Sequence, residues 1–212
     1  TRLCEELMKR DYLERFIQIG TSEMYGSVDH ASTEDEPIKP SSPYAASKVA
    51  FDRYLQSVHK VLGFPMNVIR PSNAYCPGQL LHRVIPKAVV LGLRGEKLPL
   101  HGGGKAEKSY IHARDLARAI LLVAEGAPLG TIYNCGPAEA TSIREVVERT
   151  AMALGIPFEQ LCEVTEDRIG QDSRYWLDSS AIKQAVGWEP EIGWDEGLAE
   201  MVDWGKRHFD AL

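Results

Sequence analysis

The first residues that could carry chemistry follow directly on a predicted strand. Residues 16–19 favour a short strand, and Thr21, Ser22 and Glu23 come just after it. A glycine three residues later marks the end of this polar segment. In open α/β sheets, ligands bind outside the carboxyl ends of the strands. We therefore expect the hydroxyls and the carboxylate of these residues to face a cleft.

A tyrosine and a lysine one helical turn apart form the second group. Ser42 and Pro43 favour the start of a helix, and Tyr44 and Lys48 follow. A tyrosine is a poor base at neutral pH, because its unperturbed pKa is about 10, and a nearby ammonium lowers that pKa. Such a pair is also common on exposed helix faces. It gains meaning here from the polar residues at the end of the preceding strand, which it would face.

The remaining pattern alternates strands and helices and predicts an α/β fold. The helix that begins at Pro43 extends to about residue 62, where Gly63 ends it, and a buried strand over 66–70 ends at Pro71. Further predicted elements are a helix over 85–93 capped by Gly92 or Gly95, strands over 97–100, 109–111 and 131–134, a helix N-capped by Asp115, a helix opened by a capping box at Ser142 and Glu145, and helices over 179–186 and 195–209.

Composition excludes several classes of protein. The 212 residues carry a net charge of −6 with no block of Lys and Arg, which argues against a nucleic-acid partner. No apolar run approaches the roughly 20 residues that a membrane span needs. The six histidines are dispersed, and no metal site is predicted. Scattered cysteines without a C-x-x-C pair suggest reduced thiols and a cytoplasmic location; they are Cys4, Cys76, Cys135 and Cys162.

Seven motifs in a fixed order resemble one family. They are TSEMYG (21–26), SPYAASK (42–48), IRPSNAY (69–75), SYIHARD (109–115), YNCG (133–136), DRIGQDSRY (167–175) and GWEP (187–190). Each is weak alone, but together they resemble the extended short-chain dehydrogenase/reductases, and within them the NAD-dependent epimerase/dehydratase family of nucleotide-sugar enzymes. In appearance the chain is most similar to the dTDP-glucose 4,6-dehydratases.

The resemblance implies a fold and a division of the chain. It implies the C-terminal part of a Rossmann-type, doubly wound parallel sheet with a smaller α/β substrate-binding domain. Residues 1–72 would be the back half of the NAD-binding domain, with 109–125 packing on it, and 73–212 would bind the nucleotide sugar. The family's Gly-rich turn, G-x-G-x-x-G, does not occur. We therefore expect the chain to be part of a longer protein, to which the inferred function belongs, and expect the chain alone to be inactive.

The resemblance also implies roles for the polar groups. Tyr44 would take the proton of a sugar hydroxyl as its carbon gives hydride to NAD, Lys48 would also hold the nicotinamide ribose, and Thr21 would hydrogen-bond the reacting oxygen. Glu23 would remove the proton on C5 that oxidation at C4 has acidified, so that the C6 hydroxyl leaves as water. Hydride return to C6 then gives a 4-keto-6-deoxy sugar. The residues implied to bind the cofactor are Thr21, Tyr44, Lys48, Pro71 and Ser72.

The residue at position 22 is compatible with activities other than dehydration. The dTDP-glucose dehydratases have Asp where this chain has Ser22, and Ser is the pattern of GDP-mannose dehydratases and of UDP-glucuronate decarboxylases. Either Glu23 serves as base and then as acid, or the reaction is not dehydration. The alternatives are a nucleotide-sugar 4-epimerase, a UDP-glucuronate decarboxylase, and a relative that kept the fold without turnover.

The expected ligand is a nucleotide-diphosphate sugar. A diphosphate favours cationic and amide donors, and the residues that the resemblance places on it are Asn73, Arg83, Lys108, Asn134, Arg168 and Gln171. Lys108 replaces a more usual Arg, and Gln171 stands where dTDP-sugar enzymes often have His. Relatives pair through two helices per subunit, one of which is 44–62 here, so a homodimer is expected.

Overall fold

The computed structural model describes residues 2–166 and 174–211. The helices are α1 (Arg2–Leu7), α2 (Pro43–Leu62), α3 (Val84–Arg94), α4 (Ala113–Gly126), α5 (Ile143–Leu154), α6 (Phe158–Leu161), α7 (Ser180–Val186) and α8 (Trp194–Arg207). The strands are β1 (Phe16–Ile19), β2 (Met66–Pro71), β3 (Asn73–Tyr75), β4 (Leu98–His101), β5 (Glu107–Lys108), β6 (Tyr110–His112), β7 (Ile132–Cys135), β8 (Thr141–Ser142), β9 (Cys162–Thr165) and β10 (Arg174–Tyr175). Short 3-10 helices span Ser22–Tyr25, Gly102–Gly104 and Phe209–Ala211. The predicted α/β class is confirmed.

A parallel sheet of three strands, in the order β1-β2-β7, positions the residues of interest. Phe16 pairs with Met66 and Ile69 with Tyr133, so the three strands end at the same edge. Helix α2 connects β1 to β2 as a crossover between parallel strands. The end of β1, the start of α2 and the end of β2 are therefore neighbours in space.

Helix α2 has the bounds that its local signals predict. The Ser42 hydroxyl accepts a hydrogen bond of 3.1 Å from the backbone N–H of Ala45, and Pro43 occupies the first turn. At the other end, Gly63 adopts a left-handed conformation with φ 69°. Local capping residues thus fix where α2 begins and where it ends.

A second body of helices and shorter strands faces the edge of the sheet. Its core joins α3, α5 and α8 through the buried side chains of Val89, Val146, Leu198 and Met201. Parallel pairs β3–β6 and β4–β9 and the sheet β10-β5-β8 complete it.

The chain crosses between these two bodies more than once. Strand β7 joins the central sheet, and Ala119 and Val123 of α4 lie in the same buried cluster as Ile69 of β2. The division of the chain at residue 72 stays a prediction. Among the described residues, no helix combines the length and apolar character that crossing a bilayer requires.

One predicted helix cap is wrong. Helix α4 is capped by His112, whose Nδ1 accepts a bond of 3.3 Å from the backbone N–H of Arg114. Asp115 lies inside the first turn, and its carboxylate accepts the backbone N–H groups of Glu191 and Ile192 at 3.0 and 2.9 Å. The carboxylate also accepts from the Arg118 side chain of α4 at 3.2 Å, but it caps no backbone N–H group of its own helix.

For helix α3, the structure selects one of the two predicted caps. Gly95 caps it with φ 69°, whereas Gly92 lies inside the helix.

Candidate active site

A cleft of about 720 Å³ opens at the carboxyl ends of β1 and β2, between the central sheet and the α3–β4 region. Ile19 and Gly20 at the end of β1, and Pro71 and Ser72 at the end of β2, form its wall on the sheet side. This is the place where open α/β sheets bind ligands.

The polar residues after β1 line this cleft as predicted from the strand pattern. Thr21 and Ser22 are buried, with 7% and 3% of their surface exposed, and Glu23 is half-buried. The Thr21 hydroxyl accepts a hydrogen bond of 3.3 Å from the backbone N–H of Glu23. This bond caps the 3-10 helix and holds Glu23 at the mouth of the cleft.

Tyr44 and Lys48 line the same cleft from the first turns of α2. Tyr44 is 51% exposed, so its phenol is accessible from the cleft. The Lys48 ammonium lies 5.9 Å from the centre of the Tyr44 ring and donates a hydrogen bond of 2.9 Å to the Ile19 carbonyl oxygen. The structure therefore brings together the two groups of residues that the sequence placed on separate elements.

Two of the residues implied to bind the cofactor lie at the end of β2. Pro71 and Ser72 both line the cleft. Ser72 is 5% exposed, and its hydroxyl has no hydrogen-bond partner among the described residues. A buried hydroxyl left unpaired at a cleft wall fits a polar ligand group that would complete its hydrogen bonding.

Three of the predicted substrate residues also line the cleft. They are Asn73, Arg83 and Lys108. The Asn73 amide donates to the Ser109 carbonyl at 3.2 Å and to the Tyr175 hydroxyl at 3.2 Å. Arg83 is exposed just before α3. Arg168 and Gln171 lie outside the described residues.

Asn134 does not line the cleft, and its prediction as a substrate contact is wrong. It is fully buried; its amide donates to the Ser32 carbonyl at 2.8 Å, and its side-chain oxygen accepts from the Tyr25 hydroxyl at 2.8 Å. Both ends of the amide are therefore used inside the protein. Asn134 anchors the loop that follows Glu23 instead of contacting a ligand.

Sequence reasoning missed two cations of the cleft, Lys87 and Lys105. The described lining contains five Lys or Arg side chains against one carboxylate, that of Glu23; the cations are Lys48, Arg83, Lys87, Lys105 and Lys108. His82 and His101 also line it. Lys87 lies in α3 and Lys105 in the loop before β5, so no spacing along the chain relates them to the predicted site residues. In a protein of net charge −6, such a lining attracts an anionic ligand.

Fold and site together define a class. A tyrosine, with a lysine one turn later, faces a threonine and a glutamate at the end of a parallel strand. This arrangement is similar to that of the extended short-chain dehydrogenase/reductases, as the sequence motifs implied.

The family follows from comparison with known proteins. The chain belongs to the GDP-mannose 4,6 dehydratase family, whose model matches residues 2–201. It is 37% identical over 209 residues to a dTDP-glucose 4,6-dehydratase of Streptomyces griseus, which covers 98% of this chain. The predicted resemblance to nucleotide-sugar dehydratases is confirmed.

Solved structures agree with this assignment. DesIV, a dTDP-glucose 4,6-dehydratase from Streptomyces venezuelae crystallised with NAD, superposes with a TM-score of 0.92 at 32% identity and covers 99% of this chain. A UDP-glucose 4-epimerase of Thermotoga maritima, solved with UDP-glucose, gives 0.90 at 26% identity over 97% of this chain. The chain spans 63% of the length of the Streptomyces griseus relative and 65% of the DesIV chain.

Proposed function

We propose that the full-length protein is an NAD-dependent nucleotide-sugar 4,6-dehydratase. The observation that carries the proposal is the presence of Glu23 in one cleft with Tyr44 and Lys48. A phenol beside an ammonium suits removal of a hydroxyl proton, and a separate carboxylate suits removal of a carbon-bound proton. The dehydratase relatives support the same reaction.

The chain's own residues would act on the sugar in a defined order. Tyr44 takes the proton of the C4 hydroxyl, Lys48 stabilises the phenolate, and the Thr21 hydroxyl hydrogen-bonds the reacting oxygen. Glu23 then takes the proton from C5. The electron pair of that C–H bond forms the C5–C6 double bond, and the C6 hydroxyl leaves as water.

NAD would supply the hydride-accepting and hydride-returning chemistry that leaves the reaction without net oxidation or reduction. In this chain Thr21, Tyr44, Lys48, Pro71 and Ser72 would hold its nicotinamide end, and the unpaired Ser72 hydroxyl fits that role.

The acid for the leaving hydroxyl follows from Ser22. Its side chain is a buried hydroxyl, 3% exposed, and has no carboxylic proton to give. Glu23 would therefore return the proton it has taken from C5 to the departing C6 oxygen. Proton removal and water loss would then both depend on one carboxylate.

The cationic side of the cleft would hold the nucleotide diphosphate. Arg83, Lys87, Lys105 and Lys108 supply the positive charge, and Asn73 supplies an amide. Arg168 and Gln171 stay predictions. A homodimer through α2 also stays a prediction, as does a cytoplasmic location, for which we note that all four cysteines are unpaired.

The test is a product assay on the full-length protein with NAD and several nucleotide sugars. Dehydration gives a 4-keto-6-deoxy product that has lost one water, and mass spectrometry of the nucleotide sugar detects it. Retention of the C6 oxygen on every substrate would reject the proposal.

Ser22 and the epimerase neighbour favour a second candidate on the same scaffold. A 4-epimerase needs no base at C5, and a decarboxylase loses the C6 carboxylate of a uronate. Interconversion of C4 epimers, or release of carbon dioxide from UDP-glucuronate, in the same assay would select one of them. Binding of the nucleotide sugar without any turnover would indicate a non-catalytic relative.

A further inference from the structure

A buried ion pair lies directly behind the wall of the cleft. Arg70 of β2 and Asp52 of α2 are 1% and 0% exposed, and the Arg70 Nε donates to the Asp52 Oδ2 at 3.2 Å. The other carboxylate oxygen of Asp52 has no hydrogen-bond partner among the described residues. A buried pair of this kind is a weak source of stability, because apolar residues of similar volume often replace it without loss. Its presence calls for another explanation.

Arg70 also reaches the segment that carries Glu23. Its Nη1 donates to the Tyr25 hydroxyl at 2.7 Å and to the Glu34 carbonyl oxygen at 3.3 Å. The guanidinium carbon lies 5.5 Å from the centre of the Tyr25 ring. Tyr25 is buried and follows Glu23 by two residues in the same 3-10 helix.

Asp52 belongs to the helix that carries the tyrosine and the lysine. It lies one turn after Lys48 and two turns after Tyr44 on α2. The side chains Asp52, Arg70 and Tyr25 therefore form one continuous chain from the helix of Tyr44 to the segment of Glu23. We call these three side chains the Asp52–Arg70–Tyr25 tie.

Gly20, at the strand end between these elements, leaves room for the side chains of Arg70 and Asp52. A Cβ at Gly20 would lie 3.1 Å from the Arg70 Cγ and 3.3 Å from the Asp52 Oδ2. Arg70 and Asp52 thus pass close against the backbone from which Thr21 and Glu23 emerge.

We propose that Arg70, together with Asp52 and Tyr25, is a positioning residue that sets the distance between the Glu23 carboxylate and the Tyr44 phenol. The inference rests on the proposed 4,6-dehydration, in which these two groups act on adjacent carbons of one ring. A misplacement of about 1 Å at a reacting centre can cost roughly 100-fold in rate. The tie fixes the Glu23 segment more strongly than the Tyr44 phenol, because α2 has its own backbone hydrogen bonds. Loosening it slows proton removal at C5 more than the chemistry at C4.

The experiment compares two variants of the full-length, NAD-loaded protein. Tyr25→Phe removes the hydroxyl that accepts from Arg70 and donates to Asn134. The double variant Asp52→Leu with Arg70→Met replaces the ion pair by apolar side chains and leaves the Tyr25–Asn134 hydrogen bond in place, so an effect shared by both variants belongs to the tie. Asn67→Ala is the matched control. Asn67 is a fully buried polar residue at the start of the same strand, where it bonds Thr131 and the Pro128 carbonyl away from the cleft.

Three readouts are taken: kcat and KM, the kinetic isotope effect with substrate deuterated at C5, and amide hydrogen exchange over residues 22–26. We expect kcat in both variants to fall about tenfold or more, with KM within about twofold, because only the geometry of the reacting groups changes. The C5 isotope effect rises, and the amides at 22–26 exchange faster than in the parent while those of α2 do not change. In Asn67→Ala, stability falls but the isotope effect and the exchange at 22–26 are unchanged.

An unchanged isotope effect in Tyr25→Phe, or a loss of kcat that Asn67→Ala reproduces at equal stability, would overturn the inference. If the double variant does not fold, Tyr25→Phe decides. If the parent protein dehydrates no nucleotide sugar, the proposed function fails by itself, and faster exchange at 22–26 in Tyr25→Phe still decides whether the tie holds this segment.

Discussion

The Lys48 ammonium donates a hydrogen bond of 2.9 Å to the carbonyl oxygen of Ile19, the last residue of β1. Lys48 lies one turn after Tyr44, so this bond fastens the start of α2 to the strand that leads to Glu23. It also orients the ammonium towards the cleft, 5.9 Å from the centre of the Tyr44 ring.

Removing the phenolic hydroxyl tests Tyr44. We expect Tyr44→Phe to lower kcat of the full-length protein by about 10²–10⁴-fold, the usual contribution of a positioned acid or base. Stability should not change, because the side chain is half exposed. Steady-state kinetics and thermal unfolding measure the two effects. Tyr12→Phe is the matched control, since Tyr12 is 70% exposed and does not line the cleft. Full activity of Tyr44→Phe would remove the phenol from the mechanism.

Replacing the carboxylate by an amide tests Glu23. Glu23→Gln keeps the shape of the side chain but cannot accept a proton from carbon. We expect water loss to fall by about 10²–10⁴-fold while the affinity for the nucleotide sugar is unchanged. Mass spectrometry of the product and calorimetric binding separate the two quantities. Asp35→Asn, an exposed acid in the next loop, is the control. Equal losses of turnover in both variants would count against a special role for Glu23.

Arg83 tests the anion-binding side of the cleft. We expect Arg83→Ala to raise KM for the nucleotide sugar about tenfold or more, because a charge-assisted contact to phosphate contributes about 1.5–3 kcal/mol. The value of kcat should change little, since Arg83 is not among the groups proposed to transfer protons. Arg94→Ala, at the other end of α3, is the control. A fall of kcat with KM unchanged would contradict the assignment.

Because His112 is buried, we expect the free energy of unfolding to depend on pH. Burial lowers the pKa of His112 below 6.5; Glu200, with its carboxylate 3.4 Å away, raises it by less, as do Asp115 and Glu196, while Arg114 lowers it further. The unfolded chain therefore binds this proton more readily than the folded protein. The free energy of unfolding should decrease as the pH falls through the unfolded value of about 6.5. Urea unfolding at several pH values measures it, and His112→Asn should flatten the dependence.

An exposed histidine provides the opposite control. Hydrogen bonds to Glu36 and then to Asp29 raise the pKa of His30, which is solvent-exposed. Its small contribution to stability is present at low pH and is lost as the pH rises through the raised value. His30→Asn should therefore leave the acid-side loss in place. If His112→Asn leaves it in place as well, another group is responsible.

Gly26 tests the backbone that closes the Glu23 segment. It adopts φ 71° and ψ −161°, and a Cβ there would lie 2.6 Å from the Lys39 carbonyl oxygen. We expect Gly26→Ala to lower the free energy of unfolding by about 1–3 kcal/mol for the conformation, with a further loss for the contact. Gly63→Ala is the reference, because Gly63 has the ordinary left-handed conformation, φ 69° and ψ 20°, with no atom within 4 Å, so its loss should be smaller. Chemical unfolding measures both, and equal losses would show that neither the conformation of Gly26 nor its contact with Lys39 adds to the cost.

Local sequence signals predicted the structure correctly where the partners of a residue are its neighbours in sequence. Ser42 and Pro43 start α2 and Gly63 ends it, so the bounds of this helix and the one-turn spacing of Tyr44 and Lys48 could be predicted. The strand over 16–19 was predicted in the same way.

The role of a residue was predicted wrongly where its hydrogen-bond partner lies far along the chain. The family resemblance placed Asn134 on the ligand, but its side chain bonds Tyr25, 109 residues away, and is buried. Asp115 looked like a helix cap, yet its carboxylate holds the backbone of Glu191, 76 residues away. In both cases a long-range hydrogen bond inside the protein replaced the expected role.

The sequence by itself determined which reactive groups this protein has and how they are spaced: a phenol and an ammonium one helical turn apart, and a carboxylate after a strand. It also contains the motifs that mark the family. These depend on residue type and on spacing over a few positions. Only the tertiary structure decided that they share one cleft with scattered cations, and that a buried arginine and aspartate stand behind it. Burial and distant partners depend on how the elements pack, which no local pattern specifies.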